Sequence, residues 1–375
     1  MFRKLPYIAL LLHAYVAWRL LPDLSLVPYA FGVMASWLVV SVIATPLWPI
    51  ARGITRQPLK DRLTMASMVA LGAFSSLFVL TLLRDVALLA SALAGTVMVE
   101  AAARTQGAVA VPALAALVTL VGFVNARTRA RIRRVDVPIE GLPAALHGFT
   151  IVQISDLHVG ATIKRDYIER VVDAVNELGA DMIAVTGDLV DGSVRDLAPH
   201  TAPLARLTAR YGAFFVTGNH EYYSGAGAWV RELRRLGLAV LINEHVVLRH
   251  GGAAVVVAGV TDLHGGYFDP AHRSDPVAAI TGAPQDAGVR LLLAHQPKSA
   301  FAAAQAGFDV QLSGHTHGGQ FFPWTYVVRY FHPFTTGLHR VGRLWVYISR
   351  GTGYWGPPKR LGAPSEITYL RLIAS

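Results

Sequence analysis

Cysteine is absent from the 375 residues. Its absence rules out disulfides, zinc–thiolate centres and a thiol nucleophile, and leaves any metal to His, Asp, Glu or Asn; it says nothing about compartment. Charge is also scarce, at 15% of residues against 53% apolar, and a mean hydropathy of +0.42 exceeds that of an ordinary soluble enzyme. Acidic residues are rarest in the first third: residues 1–134 hold 4 Asp/Glu and 14 Lys/Arg, whereas residues 135–375 hold 20 of each. The formal net charge of +10 therefore lies wholly in the N-terminal part. The rest is neutral, which speaks against a nucleic-acid partner.

Long apolar runs are confined to that first third. Pro6–Leu21, Leu26–Ile50, Leu63–Leu83 and Ala108–Ala126 are at or near the roughly 20 residues that a helix needs to cross a bilayer. A secretory signal peptide would account for the first run alone. Val86–Val99, between Arg84-Asp85 and Glu100, spans only 14 residues and reads as an interfacial or re-entrant helix. Basic residues cluster before the first run (Arg3, Lys4), after the second (Arg52, Arg56, Lys60, Arg62) and after the last (Arg127, Arg129, Arg131, Arg133, Arg134). An even number of spans puts all three clusters in the cytoplasm, so four spans are expected. The organisation predicted is a transmembrane region over 1–126, a basic linker and domain entry over 127–148, held against anionic headgroups, and a second domain over 149–375.

In that second domain short β-rich runs alternate with helical stretches, a pattern that predicts an α/β sandwich. The runs finish unusually. "IVQIS" leads into Asp156 and His158, "MIAVTG" into Asp188, "FFVTG" into Asn219 and His220, "RLLLA" into His295, and "VQLSG" into His315 and His317. One Asp or Asn after a strand is an ordinary turn former or cap, and one histidine is ordinary packing. Five strand ends with hard or borderline ligands predict convergence, because loops beyond the strand carboxyl ends line the ligand crevice of open α/β sheets. Glycines in "TGD", "TGN" and "SGH" are read as freeing the backbone to turn sharply. His264, His332 and His339 lack this context and are assigned to packing.

In order, "DLH" 156–158, "GDLVD" 187–191, "GNHE" 218–221, His295 and "GHTH" 314–317 resemble the calcineurin-like metallophosphoesterase superfamily. "TGNHEYYSG", "LSGHTHGGQ" and "SRGTGYWGPPKRLGAPSEITYLRL" resemble its bacterial membrane-anchored branch with N-terminal transmembrane helices. The resemblance implies a four-layer α/β/β/α sandwich preceded by an all-α transmembrane region in a bacterial inner membrane, and the basic clusters with an even span count put the catalytic domain in the cytoplasm. It implies two divalent metals (Mn, Fe or Zn), one held by Asp156, His158 and His317, the other by Asn219, His295 and His315, with Asp188 bridging. Such a pair clamps an in-line phosphoryl displacement by a bridging hydroxide. His220 is then the residue that protonates the leaving oxygen or steadies the transition state, and Asp191 and Glu221 orient ligands.

Protein Ser/Thr phosphatases of the superfamily carry arginines in "GDxVDRG" and "RGNHE"; here Gly192-Ser193 and Thr217 occupy those places, which argues against a phosphoprotein substrate. Lys359 and Arg360 read as positive charge near the site or as a solvated loop. The reading favoured is a membrane-anchored phosphodiesterase acting on a phosphoester, with a membrane lipid or nucleotide-lipid as the attractive substrate class. A nuclease or nucleotide phosphodiesterase of the same fold is the alternative, and the 20:20 charge balance counts against the basic groove that a nuclease needs. A membrane scaffold with a vestigial domain conflicts with the intact ligand positions.

Overall fold

A computed structural model of the chain describes residues 4–51, 53–54, 56–94 and 101–375. Arg3, Arg52, Glu100 and residues 95–99 of the Val86–Val99 stretch lie outside the described residues. The chain divides into two compact units, Met1–Arg127 with Gly356–Leu361, and Thr128–Trp355 with Gly362–Ser375.

The secondary structure described in the first unit is helical: α1 (Leu5–Leu24), α2 (Pro28–Ala44), the short α3 (Leu47–Ala51), α4 (Gln57–Leu93) and α5 (Ala101–Arg127), with Gly356–Leu361 added as irregular chain. Proline stands in the first turn of α1, α2 and α4, where its missing N–H would have had no helical partner anyway. Among the described residues, four helices are long and apolar enough to cross a membrane. Their outward faces are apolar, with Leu11, Val33 and Leu93 exposed, while Val16, Leu20, Phe74, Leu77 and Ala108 pack inside. This is the distribution a lipid environment permits.

Val86–Leu93 is no separate interfacial helix, because α4 runs through Arg84-Asp85 without a break. The charges do not interrupt it because they are paired within the unit. Arg19 donates to Asp85 at 2.8 and 3.0 Å, Tyr15 donates to the same carboxylate at 2.5 Å, and Arg84 pairs with Asp23.

Lys359 and Arg360 are not solvated: they are 1% and 0% exposed and belong to the helical unit. The Lys359 ammonium donates to the Gly72 carbonyl at 3.1 Å, to Thr119 Oγ1 at 3.1 Å and to the Ser76 hydroxyl. Arg360 N–H donates to the Gly122 carbonyl at 2.8 Å. Gly122 has to be glycine here, since a Cβ would lie 2.6 Å from Lys359 Cγ.

The second unit holds two six-stranded sheets. The first runs in the order β1 (Arg131–Ile139), β12 (Glu366–Ala374), β2 (Thr150–Ile154), β3 (Met182–Val185), β4 (Ala213–Phe215), β5 (Ala239–Val240). The second runs β10 (Gly337–Val341), β11 (Leu344–Ile348), β9 (Val310–Ser313), β8 (Val289–Leu293), β7 (Ala253–Gly259), β6 (Glu244–His250). Their inner faces share one core, Ile151, Met182 and Phe214 against Val257, Leu291 and Leu312. Helices α6 (Arg165–Asn176), α7 (Val194–Thr201), α8 (Asn219–Ser224) and α9 (Ala226–Arg235) follow strands of the first sheet. Helices α10 (Pro276–Ile280) and α11 (Ala300–Gln305) contribute Ala279, Ala300 and Ala303 to a second core with Ala258, Leu292 and Val346. The architecture is the four-layer α/β/β/α sandwich.

Residues 131–139, read above as part of a linker, form β1, in parallel register with β12. The arginines dominate the sequence signal, but Val137 and Ile139 are buried in the core. Arg131, Arg133 and Arg134 stay exposed on an edge strand, where charge blocks edge-to-edge pairing.

Candidate metal centre

β2, β3 and β4 are parallel neighbours in one sheet, as are β8 and β9 in the other. Asp156 and His158, Asp188, Asn219 and His220, His295, and His315 and His317 all follow the carboxyl ends of these central strands. The loops are tied to one another by main-chain bonds. Asp156 N–H donates to Gly187 O at 3.0 Å, His158 N–H to Asp188 O at 3.1 Å, and Gly314 N–H to His295 O at 2.9 Å.

Backbone strain falls on the expected ligands themselves: Asp156, His158, Asp188, His315 and His317 have φ between +51° and +74°. This region disfavours residues with a Cβ and is retained where surrounding contacts force it. Of the flanking glycines, Gly187 has φ +85°, but Gly218 and Gly314 are needed for another reason. A Cβ on Gly218 would lie 2.2 Å from Asp188 Oδ1, and one on Gly314 2.1 Å from Asp156 Oδ2. They let the carboxylates approach the neighbouring main chain.

The side chains gather into groups of metal-ligand type, Asp156 with His158 and His317, and Asp188 with His295 and His315. His158 Nε2 faces His317 Nε2 at 3.0 Å, and His295 Nε2 faces His315 Nδ1 at 3.1 Å. One atom, Asp188 Oδ2, lies 3.1 Å from His295 Nε2 and 3.9 Å from His158 Nε2, between the two groups. Asn219 Oδ1 is buried without a hydrogen-bond partner, a costly state unless something else binds it. Imidazole nitrogens facing each other, buried carboxylates and an orphaned amide oxygen fit a divalent cation.

Burial raises the Asp156 carboxyl above its ordinary value, although the His295 and His158 charges oppose it. Burial acts the same way on Asp188, but His295, His220 and His158 together outweigh it and hold this carboxyl well below its ordinary range. For His315, burial and then the His295 charge both lower the imidazole.

A third group joins His158, Asp191 and His220. Asp191 Oδ1 accepts from His158 Nδ1 at 3.1 Å and from His220 Nδ1 at 2.5 Å, so one carboxylate orients an expected ligand and the expected acid. His220 Nε2 is left 4.0 Å from Asp188 Oδ2. Burial tends to lower His220, but the Asp191 hydrogen bond and the Asp188, Asp191 and Glu221 charges raise it to about 9. Glu221 accepts from the N–H groups of Gly218, Asp188 and Leu189 at 2.6, 3.0 and 2.7 Å, fastening the "GDLV" turn to the "GNH" turn.

Sequence reasoning missed three supports. Gln153, inside the run "IVQIS", is fully buried and donates to Thr186 Oγ1 at 2.8 Å and to the Ser313 carbonyl at 2.9 Å, linking the two sheets beneath the site. A polar residue on a buried strand was its only signal. Tyr223 and Trp355 set their rings edge-on to His220, at 5.4 and 5.8 Å between centroids. Both lie inside the strings that resemble the membrane-anchored branch, "TGNHEYYSG" and "SRGTGYWGPPKRLGAPSEITYLRL", but those strings assign them no role.

Residues 149–319 match the family described as calcineurin-like phosphoesterase. A protein named transmembrane protein with metallophosphoesterase domain, from Danio rerio, is 38% identical over 267 residues, 69% of this chain and 61% of that protein. An uncharacterised metallophosphoesterase of Campylobacter jejuni is 35% identical over 66% of this chain and 64% of its own length. One from Aquifex aeolicus is 31% identical over 64% of this chain and 91% of its own length. The matched region thus spans less than two thirds of the first two of these relatives.

Proposed function

Because the chain belongs to the calcineurin-like phosphoesterase family, we propose that its second unit is a dinuclear metal-dependent phosphoester hydrolase, preferring diesters, with a lipid-linked or nucleotide-lipid ester as natural substrate. The observation that carries this reading is Asp188 Oδ2 standing between two groups of ligand-type side chains. Asp156, His158 and His317 would hold one cation and Asn219, His295 and His315 the other, with Asp188 shared. When bound, the pair would supply Lewis-acid stabilisation of the phosphoryl group and a nucleophile at neutral pH.

The chain's own contribution centres on His220. Asp191 fixes its Nδ1, Tyr223 and Trp355 limit its ring, and Nε2 faces the space beside Asp188. With Nδ1 held by the Asp191 carboxylate, which favours the protonated ring, Nε2 is the atom that delivers a proton to the leaving oxygen. The main-chain ties through Glu221 and the strained ligand loops keep the donors preset, so less reorganisation is needed at reaction.

We place the unit on the cytoplasmic face of a bacterial plasma membrane, since Lys4, Lys60 with Arg62, and Arg127 with Arg129 flank an even number of candidate spans. The direct test supplies full-length protein with Mn and compares bis-p-nitrophenyl phosphate, the monoester and extracted membrane lipids. Metal-dependent turnover with the diester ahead is expected. Full activity after exhaustive chelation sinks the reading, and a C-terminal alkaline phosphatase fusion active in the periplasm sinks the orientation.

A further inference from the structure

The fourteen residues Phe321–Phe334, which follow the His315–His317 turn, hold seven aromatic residues, one arginine (Arg329) and no acid. Neither α12 (Trp324–Val327) nor the helical turn Val328–Tyr330 buries any residue. Tyr326, Tyr330 and Phe331 are 59%, 75% and 67% exposed. An element that turns this much aromatic surface outward is not there to fill a core.

It is nonetheless held in place. Phe321 is buried and bridged to Gly362, and Thr316 Oγ1 donates to Thr335 O at 2.6 Å. A Cβ on Gly319 would lie 2.3 Å from Trp324 O. Near its end, His332 sets its ring edge-on to that of His315 at 5.1 Å, with Nδ1 buried and without a hydrogen-bond partner. The segment therefore reaches from an exposed aromatic surface to a side chain touching the candidate metal centre.

Rings with polar tips, a neighbouring arginine and no carboxylate suit the headgroup layer of a bilayer, which takes up Tyr and Trp and attracts cations. Among the described residues of the same chain, four helices are apolar enough to span such a bilayer. We propose that Phe321–Phe334 is a membrane-contact lobe. Tyr326, Tyr330 and Phe331 enter the interfacial layer, Arg329 meets anionic headgroups, and a lipid-borne phosphoester reaches the His315 side of the metal centre along this lobe. The contact stands by itself; the delivery of substrate rests on the phosphoesterase reading.

The cysteine-free chain permits a clean test in full-length protein. Tyr330→Cys, Phe331→Cys and, as a control on the β10–β11 hairpin, Arg343→Cys are labelled with a nitrobenzoxadiazole fluorophore. Each is reconstituted into phosphatidylcholine–phosphatidylglycerol vesicles. Doxyl-labelled lipid should quench the labels at 330 and 331 and spare 343, and iodide should do the reverse. Equal iodide quenching at all three positions, or efficient disulfide cross-linking of Tyr330→Cys between two copies of the chain, overturns the contact.

In the second arm, a Tyr326→Ser/Tyr330→Ser/Phe331→Ser triple variant should lose at least about tenfold in turnover of a vesicle-borne lipid diester and keep its rate on bis-p-nitrophenyl phosphate. Equal losses on both overturn delivery. If the parent protein hydrolyses neither ester, the phosphoesterase reading and the delivery that rests on it fall, while the quenching pattern still decides the contact.

Discussion

The two units of this chain bury charge in opposite ways. In the helical unit the buried charged side chains among the described residues meet partners supplied by the chain, with Arg84 Nε alone of that guanidinium left without one. Arg84 places Nη1 on Arg19 O at 3.2 Å and Nη2 on Asp23 and Arg104 O, Asp85 takes Arg19 and Tyr15, and His13 uses both ring nitrogens, on Ala9 O and Ser41 Oγ. In the phosphoesterase unit, Asp156 with His158 and His317, and Asp188 with His295 and His315, converge so that ring nitrogens face one another, and Asn219 Oδ1 is buried without a partner. A buried polar group completed from within holds helices together. A set whose atoms converge on the same space is incomplete without a ligand. Composition does not separate the two cases; where the atoms point does.

Removing Asp188 should break the second arrangement most severely. In Asp188→Ala the two ligand groups lose their shared anion, and both metal content by elemental analysis and phosphodiester turnover should fall to background. Retained metal at normal stoichiometry would contradict the shared role. Gly218→Ala subtracts no donor, yet its Cβ would lie 2.2 Å from Asp188 Oδ1, so it should lower metal content and rate together. Normal metal content in that variant would mean that the close approach is unnecessary.

His220→Gln should keep metal and lose about 10²–10⁴ in turnover, with a smaller loss for a p-nitrophenolate ester, whose leaving group needs little protonation. If His220 is the acid, the rate on an alkoxide-leaving ester should decline on the alkaline side as its proton is lost, and at a pH below the value of about 9 that Asp191, Asp188 and Glu221 set in the metal-free site, because bound cations repel the imidazolium. That decline should vanish in the variant. Its persistence would assign the proton to another group.

Asp191→Asn weakens the orientation of His158 and His220 together and should cost about 10–100-fold in metal affinity or activity. In the helical unit, Asp85→Asn should lower stability by only about 1–2 kcal/mol, read from thermal unfolding in detergent, with hydrolysis of a soluble diester unchanged. A loss of diester turnover without unfolding would show that this network does more than hold helices.

The four apolar runs and the order of ligand-type residues at the strand ends were legible because each is a local signal: helix length against bilayer thickness, and a hard donor after a β-rich run. The same locality explains the misreadings. Arginine density hid β1 because burial of Val137 and Ile139 depends on β12, whose strand lies over 200 residues away. Arg84-Asp85 looked like a helix boundary because the partners that neutralise them, Arg19 and Asp23, sit on another helix.

By itself the sequence determined the span-length apolar helices of the first third, the sandwich class of the second unit and which residues of metal-ligand type stand at its strand ends, since apolar runs and ligand chemistry belong to residues. Only the tertiary structure decided that Asp188 lies between two groups, that Asp191 serves two histidines, that Gly218 and Gly314 exist for close approach, and that Lys359 is buried among helix oxygens. These are distances between segments far apart in the chain, and such distances arise only when the sheets pack face to face and the helices close on one another.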